Sequence, residues 1–454
     1  MSALSRIVTA GAALLLPATP LAAQAVAVPG RPHQRETLKL PPQEQKRIVV
    51  LLADSNILGL LQLTQSTLAD ALVAKGLYLL DTPAGTTDAE LSDLISALQG
   101  QNNVVFAEAD GKARTNEVDS CQGSSTGGGA GAQQCTVAFV DGTPTAGEFN
   151  GQSAVAQIRA DDAQAIPHPF TPIVAVIDTG LDLSHPVFAG RLYGTGWDFV
   201  DGHAAGWDTP NGVDEDGDGL VDEAYGHGTH IAGSVLAVDP DALILPVRAL
   251  NADGSGSGYR VAEAIYYAVD AGADVINLSL SFQQLSAAVI SALQYAEAFG
   301  VTVTTSAGNT GGTVLFPGNY DPAAVTWTLP LLGSLQLHGN RIITVTAVNS
   351  SDVKASFAAH GAFVDLAAPG VSIYSAVPGN GYAWWSGTSM ATGIASGAAA
   401  LMIGIGGPWP LTDAAAALEA HAHDIDGSNP QYAGQLGVGR IDCWASGMAV
   451  FLLP

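Results

Sequence analysis

The sequence predicts an α/β protein in which helices cover a mostly parallel sheet, with a smaller α/β unit in front of it. Three observations predict this. Between about Ile158 and Gly447, strand-like apolar runs alternate with helical stretches, the order that builds parallel sheets. Those runs are continuous rather than alternately apolar and polar, as in strands buried on both faces. A separate strand and helix pattern occupies residues 46–115, long enough for a domain of its own. No internal repeat is present.

In chain order, residues 1–25 read as a signal peptide. Arg6 supplies the positive start, Ile7 to Leu16 is mostly apolar and of signal-core length, and Ala23-Gln24-Ala25 is a small-x-small cleavage site. That core is too short to span a bilayer, Pro17 and Pro20 interrupt it, and no other stretch reads as a span once the signal is removed. A secreted or periplasmic protein is expected, in which disulfides are permitted. Residues 26–45 read as a linker. In 46–115, Arg47 to Ala53, Gly76 to Asp81 and Asn103 to Glu108 have strand character. Leu63 to Lys75 and Asp88 to Leu98 have apolar positions at helical spacing. Residues 116–150 form a connector, Gly-rich from Ser124 to Gly131 and mobile or cleavable by composition. Cys121 and Cys135 could close a small ring across it, which leaves Cys443 as a buried free thiol. In 151–454 the strand runs are Ile173 to Ile177, Ala242 to Val247, Asp274 to Leu280, Val301 to Thr305, Ile342 to Val348 and Phe363 to Ala367. Val261 to Ala271 and Leu285 to Phe299 read as helices between them.

Composition narrows the function classes. Asp and Glu number 42 against 16 Lys and Arg, a net charge of −26. Such acidity argues against a nucleic-acid partner, since phosphate binding needs a positive footprint. It suits an exported soluble protein and a binder of hard cations. Hydrophobic residues at 47% supply a core and exclude a disordered chain. Three Cys cannot scaffold a chain this long.

Three segments carry chemistry. Asp178 stands just past the run Ile173–Ile177, at the end of a parallel strand where ligand crevices form. His227 lies between two glycines that leave its ring reachable, at the start of a small-residue helix. Ser389 precedes a helix of small residues, whose N-terminal dipole and unpaired N–H groups favour developing negative charge. Singly, each has a plain structural reading, as a turn carboxylate, a core histidine and a helix cap. His227 and His230 as metal ligands lack a third partner in their motif, and His421 and His423 read as structural.

Together, a carboxylate, an imidazole and a hydroxyl in that chain order are one known nucleophilic triad. The segments VIDTGLDLSHP (Val176–Pro186), YGHGTHIAG (Tyr225–Gly233) and SGTSMAT (Ser386–Thr392) strongly resemble the three signatures of the subtilisin-like serine peptidases. The resemblance implies a subtilisin-like three-layer α/β fold over 151–454, preceded by a small ferredoxin-like α/β inhibitory propeptide over 46–115. It implies a secreted serine endopeptidase, monomeric and made as a self-processing zymogen. Asp178, His227 and Ser389 would form its triad. Ser306-Ala-Gly-Asn309 resembles the oxyanion segment, with Asn309 as side-chain donor and Ala307 and Gly308 beside the substrate. Asp274 to Leu280 resembles the strand flanking the primary pocket, and Gly256 to Tyr259 its partner. The implied substrate-binding residues are therefore Gly256, Ser257, Gly258, Leu278, Ser279, Leu280 and Ser281, with the substrate adding as a strand between them. Gly439-Arg-Ile-Asp442 resembles the closing motif. The match leaves out the linkers and an insert near Thr326–Arg341. Two departures stand out: Ser281 and Gly393, where the family usually has Gly and Pro.

Between the triad Asp and His, Asp214 to Glu223 alternates carboxylates with turn residues. Asp214, Asp216 and Asp218 followed by Gly219 mimic the first half of a helix–loop–helix calcium loop, though position twelve is Tyr225 rather than Glu. Structural Ca²⁺ is expected, held by Asp214, Asp216, Asp218 and Asp222. Three rivals to the peptidase reading are weaker. A catalytically silent binding protein would not need an intact triad. An esterase would carry a Gly-x-Ser-x-Gly elbow, which Ser389 lacks. Nucleotide binding at Gly254–Gly258 lacks its strand–loop–helix context.

Overall fold

The computed structural model describes residues 45–54, 56–115, 139–140, 149, 151–321, 341–408 and 410–452. The expected signal peptide, Cys121, Cys135 and nearly all of the insert near Thr326–Arg341 lie outside them.

The first unit is a split βαβ arrangement. β1 (Arg47–Leu52), a helix Leu58–Thr64, β2 (Thr67–Leu72), β3 (Leu77–Asp81), a helix Asp88–Gln99 and β4 (Val104–Ala109) follow in order. The strands form an antiparallel sheet ordered β2-β3-β1-β4. The Asp88–Gln99 helix is fixed at its start by a capping box, Thr87 with Glu90. The expected helix over Leu63–Lys75 is not formed. The Leu58–Thr64 helix stops at Gln65, in the left-handed region at φ 54°, and Thr67–Leu72 becomes an edge strand. Leu68 and Leu72, four apart, suit either period. Pairing with β3 decides, with a register shift between Leu68 and Asp70 that buries Leu72 and exposes Leu68.

The second unit contains β5 (Lys112–Thr115), β6 (Phe139–Val140), β7 (Ile173–Asp178), β8 (Trp197–Asp198), β9 (His203–Ala204), β10 (Leu243–Arg248) and β11 (Ser255–Ser257). It continues with β12 (Val275–Leu278), β13 (Leu280–Phe282), β14 (Thr302–Ser306), β15 (Ile342–Val348), β16 (Leu366–Pro369), β17 (Ile373–Val377) and β18 (Gly381–Trp385). The main sheet is ordered β16-β15-β14-β12-β7-β10-β8-β9, parallel except for the β8–β9 edge pair.

β7 shows why its run is uninterruptedly apolar. Val174 and Val176 point into the core beneath the helices His227–Val238 and Thr388–Gly406. Ala175 and Ile177 point into the opposite core, beneath the helices Gly258–Asp270 and Ala287–Ala298. Both faces are covered, giving three layers, and each fully buried Val or Ile contributes about 1.5–3 kcal/mol. The run Asp274–Leu280, expected as one strand, is two. β12 stays in the main sheet, and after Ser279 β13 leaves it to pair with β5.

The Thr388–Gly406 helix is long and apolar enough to cross a membrane, contrary to the expectation that no such stretch exists, but it is almost wholly buried as the central core helix. Its small residues let it approach the His227–Val238 helix closely. A Cβ on Gly397 would fall 2.6 Å from the Val235 carbonyl oxygen. Gly393 packs on Ile231 and Ser234, where a Cβ would already be tight at 3.1–3.4 Å. Cys443 is a buried free thiol whose ionisation burial opposes.

Candidate active site

β7 ends in Asp178, fully buried at the centre of the sheet, with β10 on one side and β12 on the other. The strand order reverses at this place, where α/β sheets form their crevice. Asp178 Oδ1 accepts hydrogen bonds from His227 Nδ1–H at 2.7 Å and from the Thr179 backbone N–H at 2.7 Å. That bond places the proton on Nδ1, because a carboxylate can only accept, and leaves Nε2 the ring nitrogen able to take up a proton. His227 opens the His227–Val238 helix, and its ring stacks on Trp385 at 6.2 Å. Gly226 turns the chain at φ 95°, a conformation other residues rarely adopt. At Gly228 a Cβ would sit 2.2 Å from the Gly180 carbonyl oxygen. Gly226 is thus needed for the turn and Gly228 for the approach of helix to strand.

Ser389 is the second residue of the Thr388–Gly406 helix and is buried. Its Oγ lies 3.4 Å from the Ser279 carbonyl oxygen, and Ser279 Oγ–H donates back to the Ser389 carbonyl at 3.1 Å. Asn309 follows β14. Its Oδ1 accepts from the Thr388 N–H at 3.0 Å and from Thr388 Oγ1–H at 2.9 Å. Two donors on one amide atom identify it as the oxygen, so the amide nitrogen is the end that can donate to an oxyanion. Gly308, at φ 105°, lies against Leu315, whose Cδ1 would be 3.2 Å from an added Cβ. An apolar side chain therefore sits beside the segment that leads to Asn309, which sequence reasoning did not single out.

A three-stranded sheet runs past this point, ordered β11-β5-β13, antiparallel on both edges. Arg114 stands opposite Ser255 and Ser281, Ala113 opposite Gly256 and Phe282, Lys112 opposite Ser257 and Thr115 opposite Leu280. Of the expected substrate contacts, Gly256, Ser257, Leu280 and Ser281 flank this strand. Gly258 meets its approach, donating from N–H to the Gly111 carbonyl at 2.8 Å. Ser279 faces Ser389, and Ala307 and Gly308 lead into Asn309. Leu278 belongs to β12 in the main sheet. Ser255 and Phe282, which also pair with β5, were missed; they lie one residue beyond the expected segments.

The small unit docks on two helices through carboxylates at their N-termini. Glu108 accepts from Ser286 Oγ–H and from the N–H groups of Ala287 and Ala288 at 2.8–3.0 Å. Asp110 accepts from the Tyr259 N–H at 3.0 Å. Arg260 and Lys75 add ion pairs with Asp70 and Asp270. Desolvation pushes both Glu108 and Asp110 up, and their backbone donors oppose it.

A further buried carboxylate lies beside the Asp–His pair. Asp208 accepts from the Gly226 N–H at 2.7 Å and from Thr179 Oγ1–H at 3.0 Å, while Thr179 Oγ1 accepts from the Gly228 N–H at 3.1 Å. It thereby ties both neighbours of His227 to the residue after Asp178. Burial pushes Asp208 up to about 7. Trp207-Asp-Thr-Pro210 carries no motif, so only the fold reveals it.

In the acidic loop, Asp214, Asp216 and Asp218 each offer an oxygen within 4.8 Å of the others, a spacing that fits ligands 2.3–2.6 Å from one Ca²⁺. Both carboxylate oxygens of Glu223 are buried there without hydrogen-bond partners among the described residues, acceptors that a cation would satisfy. Asp222 stands apart: its two oxygens accept from the Asn211 and Gly212 N–H groups. Asp198, Asp201 and His203 form a second cluster not foreseen from sequence, whose two carboxylates are both paired with Arg248 Nη1, at 2.8 and 2.6 Å. His230, stacked on Trp385 at 4.7 Å, is driven down to about 3 chiefly by burial and stays neutral. His423 pairs through its backbone with Arg440 near the closing motif.

Comparison with known proteins agrees with this architecture. The Subtilase family signature matches residues 171–433. The chain is 38% identical over 240 residues to the thermophilic serine proteinase of Bacillus sp. strain AK1, covering 50% of this chain and 51% of that protein. It is 35% identical over 288 residues to thermitase of Thermoactinomyces vulgaris, covering 61% of this chain and 90% of thermitase. Its fold matches that of fervidolysin from Fervidobacterium pennivorans, a keratinolytic enzyme related to subtilisin, with a TM-score of 0.67 at 20% identity over 90% of this chain and 62% of that one. With its signature spanning more than half of the sequence and thermitase matched along nearly its whole length, the chain belongs to the Subtilase family and is a subtilisin-like serine endopeptidase.

Proposed function

We propose that the protein is an exported, self-processing endopeptidase whose triad is Asp178, His227 and Ser389. The observation that carries this is the buried 2.7 Å bond from His227 Nδ1 to Asp178, beside a helix N-terminus that holds Ser389. In the reaction, Ser389 Oγ attacks the scissile carbonyl carbon while His227 Nε2 takes its proton. Asp178 keeps the ring in the required tautomer and stabilises the imidazolium. The oxyanion is held by the Asn309 amide and the Ser389 N–H. His227 then gives its proton to the leaving amine, and water resolves the acyl-enzyme by the reverse sequence.

The residues 46–115 act as an intramolecular inhibitor, a reading supported by β5 lying between β11 and β13 as a substrate strand would. Since Thr115 pairs with Leu280, next to Ser279, maturation cleaves within the first residues past Thr115. Residues 1–25 direct export, and the mature chain is a monomer. Asp214, Asp216 and Asp218 hold a structural Ca²⁺, which would offset part of the loop's negative charge and fix it beside the groove.

N-terminal analysis of purified wild type beside Ser389→Ala tests the reading. Wild type is expected to begin after Thr115 and to hydrolyse casein; Ser389→Ala is expected to keep residues 46–115 and to be inert. Substantial casein hydrolysis by Ser389→Ala would reject the assignment. Labelling of wild type by a serine-directed phosphonate separates it from a silent binding protein.

A further inference from the structure

We infer that the acidic loop also reads the substrate: Asp216 forms a subsite for a basic side chain at the position that Arg114 takes in β5. This rests on the endopeptidase reading and deepens it. In β5 the side chains alternate. Ala113 and Thr115 are fully buried against the body of the enzyme. Thr115 packs so closely on Gly254 that a Cβ there would meet its Oγ1 at 2.3 Å. Lys112 and Arg114 take the opposite face. From it Arg114 Nη1 reaches Asp216 Oδ2 at 3.4 Å. The Asp216 side chain is only 2% exposed, so its charge is little screened by water.

The surroundings make this contact selective for charge. Six carboxylates lie between Asp214 and Glu223, and Asp253 joins them by accepting from the Glu215 and Asp222 N–H groups. One divalent ion among Asp214, Asp216 and Asp218 would leave the loop negative. A neutral side chain at the Arg114 position forgoes this attraction, and an acidic one meets repulsion. At 3.4 Å the pair is electrostatic rather than a tight bidentate fork, so Lys should serve nearly as well as Arg. β5 fixes the register through backbone pairing, and the loop then discriminates by charge.

The test uses mature wild-type enzyme at constant Ca²⁺ and fluorogenic peptides built on the tail from Gly111 to Val118, with Arg, Lys, Ala or Glu at the Arg114 position. The expected order in kcat/KM is Arg and Lys above Ala above Glu. An Arg-to-Ala ratio of about fivefold is expected, the size of a partly screened ion pair, and it should shrink as salt rises. In Asp216→Asn the same ratio should fall toward one, whatever happens to the absolute rates. A wild-type ratio at or below one, or a ratio that survives Asp216→Asn, overturns the subsite. If Asp216→Asn does not fold, the wild-type ratio and its salt dependence decide alone. Casein hydrolysis without cleavage of any tail peptide also overturns it while leaving the endopeptidase reading intact; absence of casein hydrolysis strikes that underlying reading instead.

Discussion

The Asp178–His227 pair and the loop from Asp214 to Glu223 use the same side chain for different ends. Both sets of carboxylates collect backbone N–H bonds: Asp178 from Thr179, Asp214 from Gly217 and Gly219, Asp222 from Asn211 and Gly212. Asp178 is sealed in the sheet and has one imidazole to orient, so its charge fixes a tautomer. The loop carboxylates crowd together with no imidazole to orient, so their charge is open to cations. Burial and the neighbouring group, rather than residue type, assign a carboxylate its work.

Replacing the sealed carboxylate should therefore cost most. Asp178→Asn preserves shape but invites the wrong imidazole tautomer, and kcat is expected to drop about 10⁴-fold, the size known for serine-peptidase triads. Steady-state kinetics on a peptide substrate checks it; a loss below tenfold would deny Asp178 its orienting role. Next, Asn309→Ala removes an oxyanion donor and should lower kcat about 10²–10³-fold with KM little changed, the size known for this donor in subtilisin. A change confined to KM would reassign Asn309 to substrate binding. The loop carboxylates should answer to chelation. Removing Ca²⁺ is expected to lower the thermal midpoint by about 5 °C. An unchanged midpoint would mean that the cluster is a solvated loop.

The smallest effect concerns Asp208, which sits between the two cases, buried yet outside the cation cluster. Its folded pKa, about 7, lies above the ordinary carboxylate value of 3.8 because of burial. The folded state therefore binds its proton more tightly than the unfolded chain does. Its stabilising contribution is complete below about pH 4 and is lost as pH rises through about 7. Denaturant titrations from pH 4 to 8 should show a shallower decline in stability for Asp208→Asn than for wild type. Parallel curves would remove Asp208 as a titrating group.

What is legible in the residues and what is not divides along physical lines. The strand runs around β7, β10, β14 and β15 are legible because burial on both faces demands uninterrupted apolar residues. Asp178, His227 and Ser389 are legible as candidates because Asp178 ends an apolar strand run, His227 and Ser389 lie among glycines and small residues, and the three segments resemble known signatures. The strand Thr67–Leu72 reads as helix because its apolar spacing fits both periods and only pairing at the sheet edge chooses. Asp208 is invisible because its partners, the Thr179 hydroxyl and the Gly226 backbone N–H, are distant in sequence and carry no pattern that points to it. Asp216 is legible as part of an acidic run, but its meeting with Arg114 is not, because Arg114 carries no motif and lies far from that run in sequence.

By itself, then, the sequence determined the layers, the alternation of strand and helix, and the chemical types gathered in the three signature segments, since periodicity and glycine spacing are local properties. Tertiary structure alone decided which strand lies between β11 and β13, which carboxylates are sealed or open, and which cation meets Asp216. Those depend on register and burial, which arise only when segments distant in sequence come into contact, as Arg114 and Asp216 do.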